Sequence, residues 1–261
     1  MNKHKPRQLV PMLALTAIIL LAAYTPINTT GQYYTYPTRE HMRPLKGGLQ
    51  IEVREWGATS GSYATLGYFV RDSHGNIGVV TAGHAANADQ GIYVYQPNSS
   101  DTTYLIGPNG YHIVSSSIDA AVIPLNEGVS WSASILNITG PQPFSTVYIA
   151  SYKLWEDVEI GEVVCKTGRS TGTTCGIVTS KQNPYAGLYD VIIATYESEP
   201  GDSGSPVFMF VREGTSPWYY LTSIYGHHYG RDPLDYSNRI FISVRAVINV
   251  FGASVCTIYG C

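Results

Sequence analysis

Hydrophobic and polar positions alternate with a period of two along much of the chain, beginning with LQIEVREW (49–56), TLGYFVRD (65–72) and NIGVVTAG (76–83). That period puts successive side chains on opposite faces of a strand, so each run predicts a half-buried β-strand. DSHGN (72–76), between the last two, predicts a hairpin turn. GIYVYQP, TYLIGP, YHIVSS and DAAVIPL continue the pattern at short intervals up to residue 125. LNITGPQPF (136–144) is rich in turn residues and predicts a boundary between two halves, 48–140 and 141–261. Beyond it STVYIASY, EIGEVVCKTG, TTCGIVTSK, DVIIATY, GSPVFMFV, WYYLTSIYG and RIFISV repeat the style. The only helical period is near the end, where Val244, Val247, Ile248 and Phe251 share a face and Gly252 stands at the C-cap. Two runs of about six antiparallel strands with a terminal helix predict an all-β chain of paired barrels rather than one sandwich.

Composition sharpens this picture. The 261 residues include 21 Tyr, 26 Gly and 15 Pro, which suit strands and turns. A net charge of −3 offers no electrostatic grip on nucleic acid. Lys3, His4, Lys5 and Arg7 precede the apolar run at 9–23, which is short of the roughly 20 residues of a membrane-spanning helix. Residues 1–23 therefore read as a secretory signal, with an uncleaved N-terminal membrane anchor as the alternative. Both export the rest, making the protein secreted or held at the cell surface. Residues 24–47 lack periodicity and read as a linker or short pro-segment.

Export makes the four cysteines candidates for disulfides. Of three possible pairings, Cys165–Cys175 with Cys256–Cys261 closes two small loops and is the expected one. Their spacing fits no common zinc site, and neither metal nor cofactor is expected. Asn28, Asn98 and Asn137 lie in glycosylation sequons.

Three strings carry chemistry: VVTAGHAA (79–86), SSSIDAAVIPL (115–125) and EPGDSGSPV (199–207). Serine is a weak nucleophile that needs a neighbouring base, histidine supplies one, and a carboxylate on the far ring nitrogen fixes its tautomer. The order His84, Asp119, Ser203 is that of paired-barrel hydrolases, and differs from that of subtilisin-like and α/β-hydrolase chains. Each residue has an ordinary alternative: a structural histidine, a turn aspartate, a turn serine.

TAGH, the DAAV strand and GDSG together resemble the chymotrypsin-like serine peptidases. CKTGRSTGTTCG (165–176), EPGDSG and the ending ISVRAVINVFGASV (242–255) are more closely similar to the streptogrisin and α-lytic branch, over roughly residues 48–255. The resemblance implies two six-stranded antiparallel Greek-key barrels with His84 as base, Asp119 as its orienter and Ser203 as nucleophile in the cleft between them. It implies an oxyanion hole from the N–H groups of Gly201 and Ser203, and a Lys166–Asp202 ion pair behind it, with Arg169 as the rival partner. It also implies that YLTSIYG walls the substrate pocket, with Ser223 bonded to Asp119, and with Glu199, Ile224, Tyr225 and Gly226 in substrate-lining segments. His227 and His228 could bind an acidic P1 side chain, as in glutamyl endopeptidases, but exposed loop positions are the expectation.

Some features depart from the family. Ala85 and Glu197 stand near where many relatives have cysteines, and Ser205 where glycine is commoner. Residues 24–47 are too short for a large folding pro-domain, so folding without one is expected. The function implied is a monomeric serine endopeptidase acting on polypeptides. The alternatives are a catalytically silent binding protein on the same fold and a processing peptidase held at the membrane.

Overall fold

The computed structural model describes residues 37–86, 91–107, 113–138, 145–211 and 220–261. The expected signal or anchor at 1–23, residues 24–36 and the Asn28 sequon lie outside them. Ten strands form the first half: β1 (Leu45–Gly47), β2 (Gln50–Glu55), β3 (Ser62–Thr65), β4 (Phe69–Arg71), β5 (Ile77–Ala82), β6 (Ile92–Tyr95), β7 (Leu105–Gly107), β8 (Ile113–Ser115), β9 (Ala120–Pro124) and β10 (Trp131–Asn137). Eight follow: β11 (Ser145–Tyr152), β12 (Val163–Gly168), β13 (Gly172–Gln182), β14 (Val191–Ala194), β15 (Pro206–Val211), β16 (Tyr220–Arg231), β17 (Arg239–Ser243) and β18 (Ser254–Val255). A one-turn helix α1 (Gly83–Ala86) follows β5, and α2 (Val244–Phe251) follows β17.

In the second half, β16, β15, β12, β13, β14 and β17 pair in that order, and β17 returns to β16, closing a six-stranded antiparallel barrel. Closure leaves no unpaired barrel edge. The first half wraps its core with two sheets, β18-β4-β5-β9-β8 and β3-β2-β6-β7. Ile51, Phe69, Val79, Val94 and Ile123, contributed alternately by these strands, share one buried cluster. The DSHGN turn joins β4 to β5 as the alternation predicts, with Asp72 N–H donating to the Asn76 carbonyl at 2.9 Å.

Three features differ from the sequence reading. Strand pairing starts upstream of Gly48: β1 pairs with β10 and Leu45 is fully buried, so residues 45–47 belong to the fold and are not linker. WSASILN, which carries serines in place of alternating apolar residues, is strand β10, with Ser134 Oγ bonded to Ser132 Oγ at 3.0 Å. After α2, which Ser243 caps at its start and Gly252 ends in the left-handed conformation, the chain crosses back to the first half. There β18 pairs with β4 and Cys256 enters that core.

Both disulfides join the sequence-local pairs, Cys165–Cys175 across the β12–β13 hairpin and Cys256–Cys261 at the end of the chain. Asn137, by contrast, is a poor glycan acceptor, since its amide donates to Ser145 Oγ and its Oδ1 is buried.

Candidate active site

The register of two neighbouring strands brings the first two residues together. In β5 and β9, Thr81 faces Ala121 and Ala82 faces Ala120, so the residue two beyond β5 meets the one just before β9. Gly83 N–H donates to the Asp119 carbonyl at 2.8 Å. The Asp119 carboxylate then accepts twice from His84: Oδ1 from the backbone N–H at 2.8 Å and Oδ2 from Nδ1 at 2.8 Å. With Nδ1 protonated towards the carboxylate, Nε2 holds a lone pair, and it lies 3.0 Å from Ser203 Oγ. Asp119 is 7% exposed, whereas about half of the His84 side chain is open to solvent, so the aspartate is sheltered and the base accessible.

The serine loop is held from both halves. Thr65, at the end of β3, donates its N–H to the Ser203 carbonyl and its hydroxyl to the Gly201 carbonyl, each at 2.9 Å. Gly204 N–H donates to the His228 carbonyl at 2.8 Å. Two glycines are required here. Gly201 has φ +97°, which L side chains rarely adopt. Gly204 has φ +86°, and a Cβ there would lie 2.2 Å from Thr81 Oγ1. Among the described residues no acceptor takes the N–H of Gly201 or of Ser203, so both donors are free beside Ser203 Oγ.

Behind the loop, Lys166 Nζ lies 3.3 Å from Asp202 Oδ2, with both side chains fully buried. Asp202 also accepts from the N–H groups of Glu199, Ser170 and Thr171 and from the Thr171 hydroxyl. Burial raises the carboxyl's pKa, but Lys166 and these donors outweigh it and hold Asp202 below the ordinary carboxylate range. For Lys166 the balance runs the other way, with burial lowering its pKa against the pull of Asp202. The four donors around Asp202 settle the pair as ionic, because a carboxylic acid could not accept them all. Arg169 is not the partner: its Nε donates to Gln50 Oε1 at 2.8 Å and its guanidinium lies over Tyr63.

A cavity of about 370 Å³ opens beside Ser203, lined by His84, Ser198, Glu199, Pro200 and residues 228–231. This moves the pocket wall along β16. Of the residues expected there, only Glu199 lines the cavity, where Arg231 bonds it at 3.0 Å. Ser223 pairs with Met209 in β15 and is not among the donors to Asp119. Ile224 and Tyr225 are fully buried, and the Tyr225 hydroxyl donates to Glu162. A Cβ on Gly226 would lie 1.8 Å from the Ile242 carbonyl, which marks it as a packing position.

β16 runs twelve residues, with an extra residue at Tyr225 against β15 and at Tyr229 against β17, and its last third lines the cavity. His227 and His228 are correspondingly buried, at 0% and 2% exposure, and not loop residues. Tyr229, which meets the His84 ring edge-on, and Arg231 were missed too. The alternation of HHYGR beyond the apolar YLTSIYG was the available signal.

One closed six-stranded barrel, a second core wrapped by two sheets and a His–Asp–Ser constellation define the double-barrel fold of the chymotrypsin-like serine proteases. Solved structures share it. The chymotrypsin of Cellulomonas bogoriensis matches with a TM-score of 0.54 and 20% identity, over 81% of this chain and 98% of that one. The Nocardiopsis protease NAPase matches with a TM-score of 0.54 and 19% identity, over 80% and 97%. A glutamic acid-specific serine protease, described as using a histidine triad in substrate binding, matches with a TM-score of 0.58 and 21% identity, over 81% and 100%. At these identities the likeness is one of fold. No protein-family model and no curated protein matches the sequence.

Proposed function

We propose that the protein is an exported serine endopeptidase that cleaves polypeptides through an acyl-enzyme on Ser203. The observation that carries this is the unbroken chain from Asp119 Oδ2 through His84 to Ser203 Oγ, beside two free N–H donors. Ser203 Oγ attacks the scissile carbonyl while its proton passes to His84 Nε2, and Asp119 stabilises the imidazolium. The developing oxyanion accepts from the N–H groups of Gly201 and Ser203. His84 then protonates the leaving amine, and water enters by the same route to release the acyl group. Lys166 and Asp202 touch no substrate and support the loop. A silent binding protein would have no need of this aligned set. Two disulfides suit an oxidising compartment outside the cytosol.

The pocket favours an acidic P1 side chain. The Tyr196 hydroxyl lies 3.0 Å from His228 Nδ1. Burial keeps Tyr196 a phenol and pushes His228 down to about 3, so the imidazole is neutral at ordinary pH. With Tyr196 donating to Nδ1, the remaining His228 N–H donates towards the cavity. Ser198 Oγ accepts from Arg239 Nε at 2.9 Å, which leaves its own proton free for the same carboxylate. Arg231 at the mouth is paired with Glu199 at 3.0 Å, so the recognition rests on His228 and Ser198. The glutamic acid-specific neighbour, with histidines in substrate binding, supports this reading.

Cleavage of a peptide library tests both levels, with Ser203→Ala as the blank. Glu or Asp at P1 should dominate. His228→Val should lower kcat/KM for Glu at P1 by about 10- to 100-fold, the worth of one hydrogen bond to a charged group, and leave Ala at P1 nearly unchanged. A preference for aromatic or basic P1 residues would refute the acidic pocket, and no Ser203-dependent cleavage of any peptide would refute the peptidase.

A further inference from the structure

Asp119 is one of three described non-glycine residues with positive φ, at +38°, and the only one of them in the catalytic chain. That backbone state is costly for a residue with a Cβ and persists only where its surroundings hold it. Rotation about its φ and ψ would swing the carboxylate away from His84. The Asp119 N–H donates to the Ser116 carbonyl at 3.4 Å, and two donors hold its carbonyl: Gly83 N–H at 2.8 Å, from the element that carries His84, and His227 Nε2 at 3.1 Å, from β16.

His227 is fully buried, and its Nδ1 is buried with no partner among the described residues. A carbonyl only accepts, so the bond to Asp119 requires the proton on Nε2 and leaves Nδ1 as an unsatisfied lone pair. Leaving such a group unpaired is unfavourable, and an apolar residue would avoid it. His227 does not line the cavity beside Ser203, so a ligand role there does not explain it. The bond it does make tethers the catalytic aspartate of the first half to the barrel of the second.

We infer that His227 is a positioning residue for catalysis, whose Nε2–H holds the strained Asp119 peptide so that its carboxylate stays aimed at His84 Nδ1. The inference rests on the proposed peptidase reading for its kinetics but not for its structural test. His227→Phe fills the space without a donor, and His227→Gln, whose amide nitrogen is as many bonds from Cβ as Nε2, restores an N–H near the same place.

In His227→Phe, kcat should fall by 10- to 100-fold with KM within twofold. The acid limb of the kcat/KM profile should move to lower pH, because a misaligned carboxylate supports the His84 imidazolium less. His227→Gln should recover most of both. In parallel, NMR titration of the His84 ring reads its pKa without any substrate, and should show the same downward move in His227→Phe and its recovery in His227→Gln. Unchanged His84 titration in folded His227→Phe would overturn the inference, as would a loss of kcat that His227→Gln does not restore. If the parent cleaves no peptide, the peptidase reading fails and the titration alone decides the role of His227.

Discussion

Ser203→Ala and His84→Ala should each abolish nearly all turnover, on the order of a 10⁶-fold fall in kcat, and the double variant should be no worse than either alone. The reason is geometric. Ser203 Oγ lies 3.0 Å from His84 Nε2, and among the described residues no other base bonds it, so either change removes the same proton transfer. Asp119→Asn should cost less, about 10⁴-fold, because the amide favours the wrong imidazole tautomer while leaving base and nucleophile in place. Steady-state kinetics on one peptide substrate check all four variants. Additive losses in the double variant would mean that His84 and Ser203 act separately. A residual rate above water, from the Gly201 and Ser203 N–H donors, should survive in each.

The second large effect is on stability. Lys166→Ala should destabilise the protein by about 3–5 kcal/mol, since it leaves Asp202 charged and fully buried without its counter-ion. Lys166→Met combined with Asp202→Asn should recover much of that stability, but not activity, because the donors from Ser170, Thr171 and Glu199 converge on a carboxylate. Urea denaturation and peptide turnover separate the two. The pH dependence has a definite sign. Asp202 is held below its ordinary value in the folded state, so its contribution is complete above the unfolded carboxyl pKa of about 4 and disappears as pH falls through the lower, folded value. The parent should therefore lose stability steeply below about pH 4, and Asp202→Asn should flatten that slope. An acid limb identical in the two would show that the pair carries no net stabilisation.

The hydrogen-bonded set of Asp119, His84 and Ser203 was legible in the sequence because each member sits on a locally specified turn. TAGH ends a buried strand, DAAV begins the strand paired with it, and GDSG supplies the two glycines that the loop requires at φ +97° and +86°. The Lys166–Asp202 pair followed from family resemblance, with geometry deciding against Arg169. The pocket wall was not legible. Which third of β16 faces the cleft depends on two bulges and on pairing with β15 and β17, none of which has a local signature. An apolar stretch such as YLTSIYG therefore resembled a cleft wall while the register carried it into the core, and the polar HHYGR took its place beside Ser203. Strand β10 escaped for a related reason: its serines satisfy one another, and burial comes from β1 and β11, far apart in sequence.

Labelling the purified protein with a fluorophosphonate probe and mapping the adduct by mass spectrometry tests most directly whether Ser203 is an activated nucleophile. One adduct per chain is expected, on Ser203, absent from Ser203→Ala and nearly absent from His84→Ala. A folded parent that takes up no probe, with or without its first 36 residues, would contradict it and leave the fold as a binding scaffold.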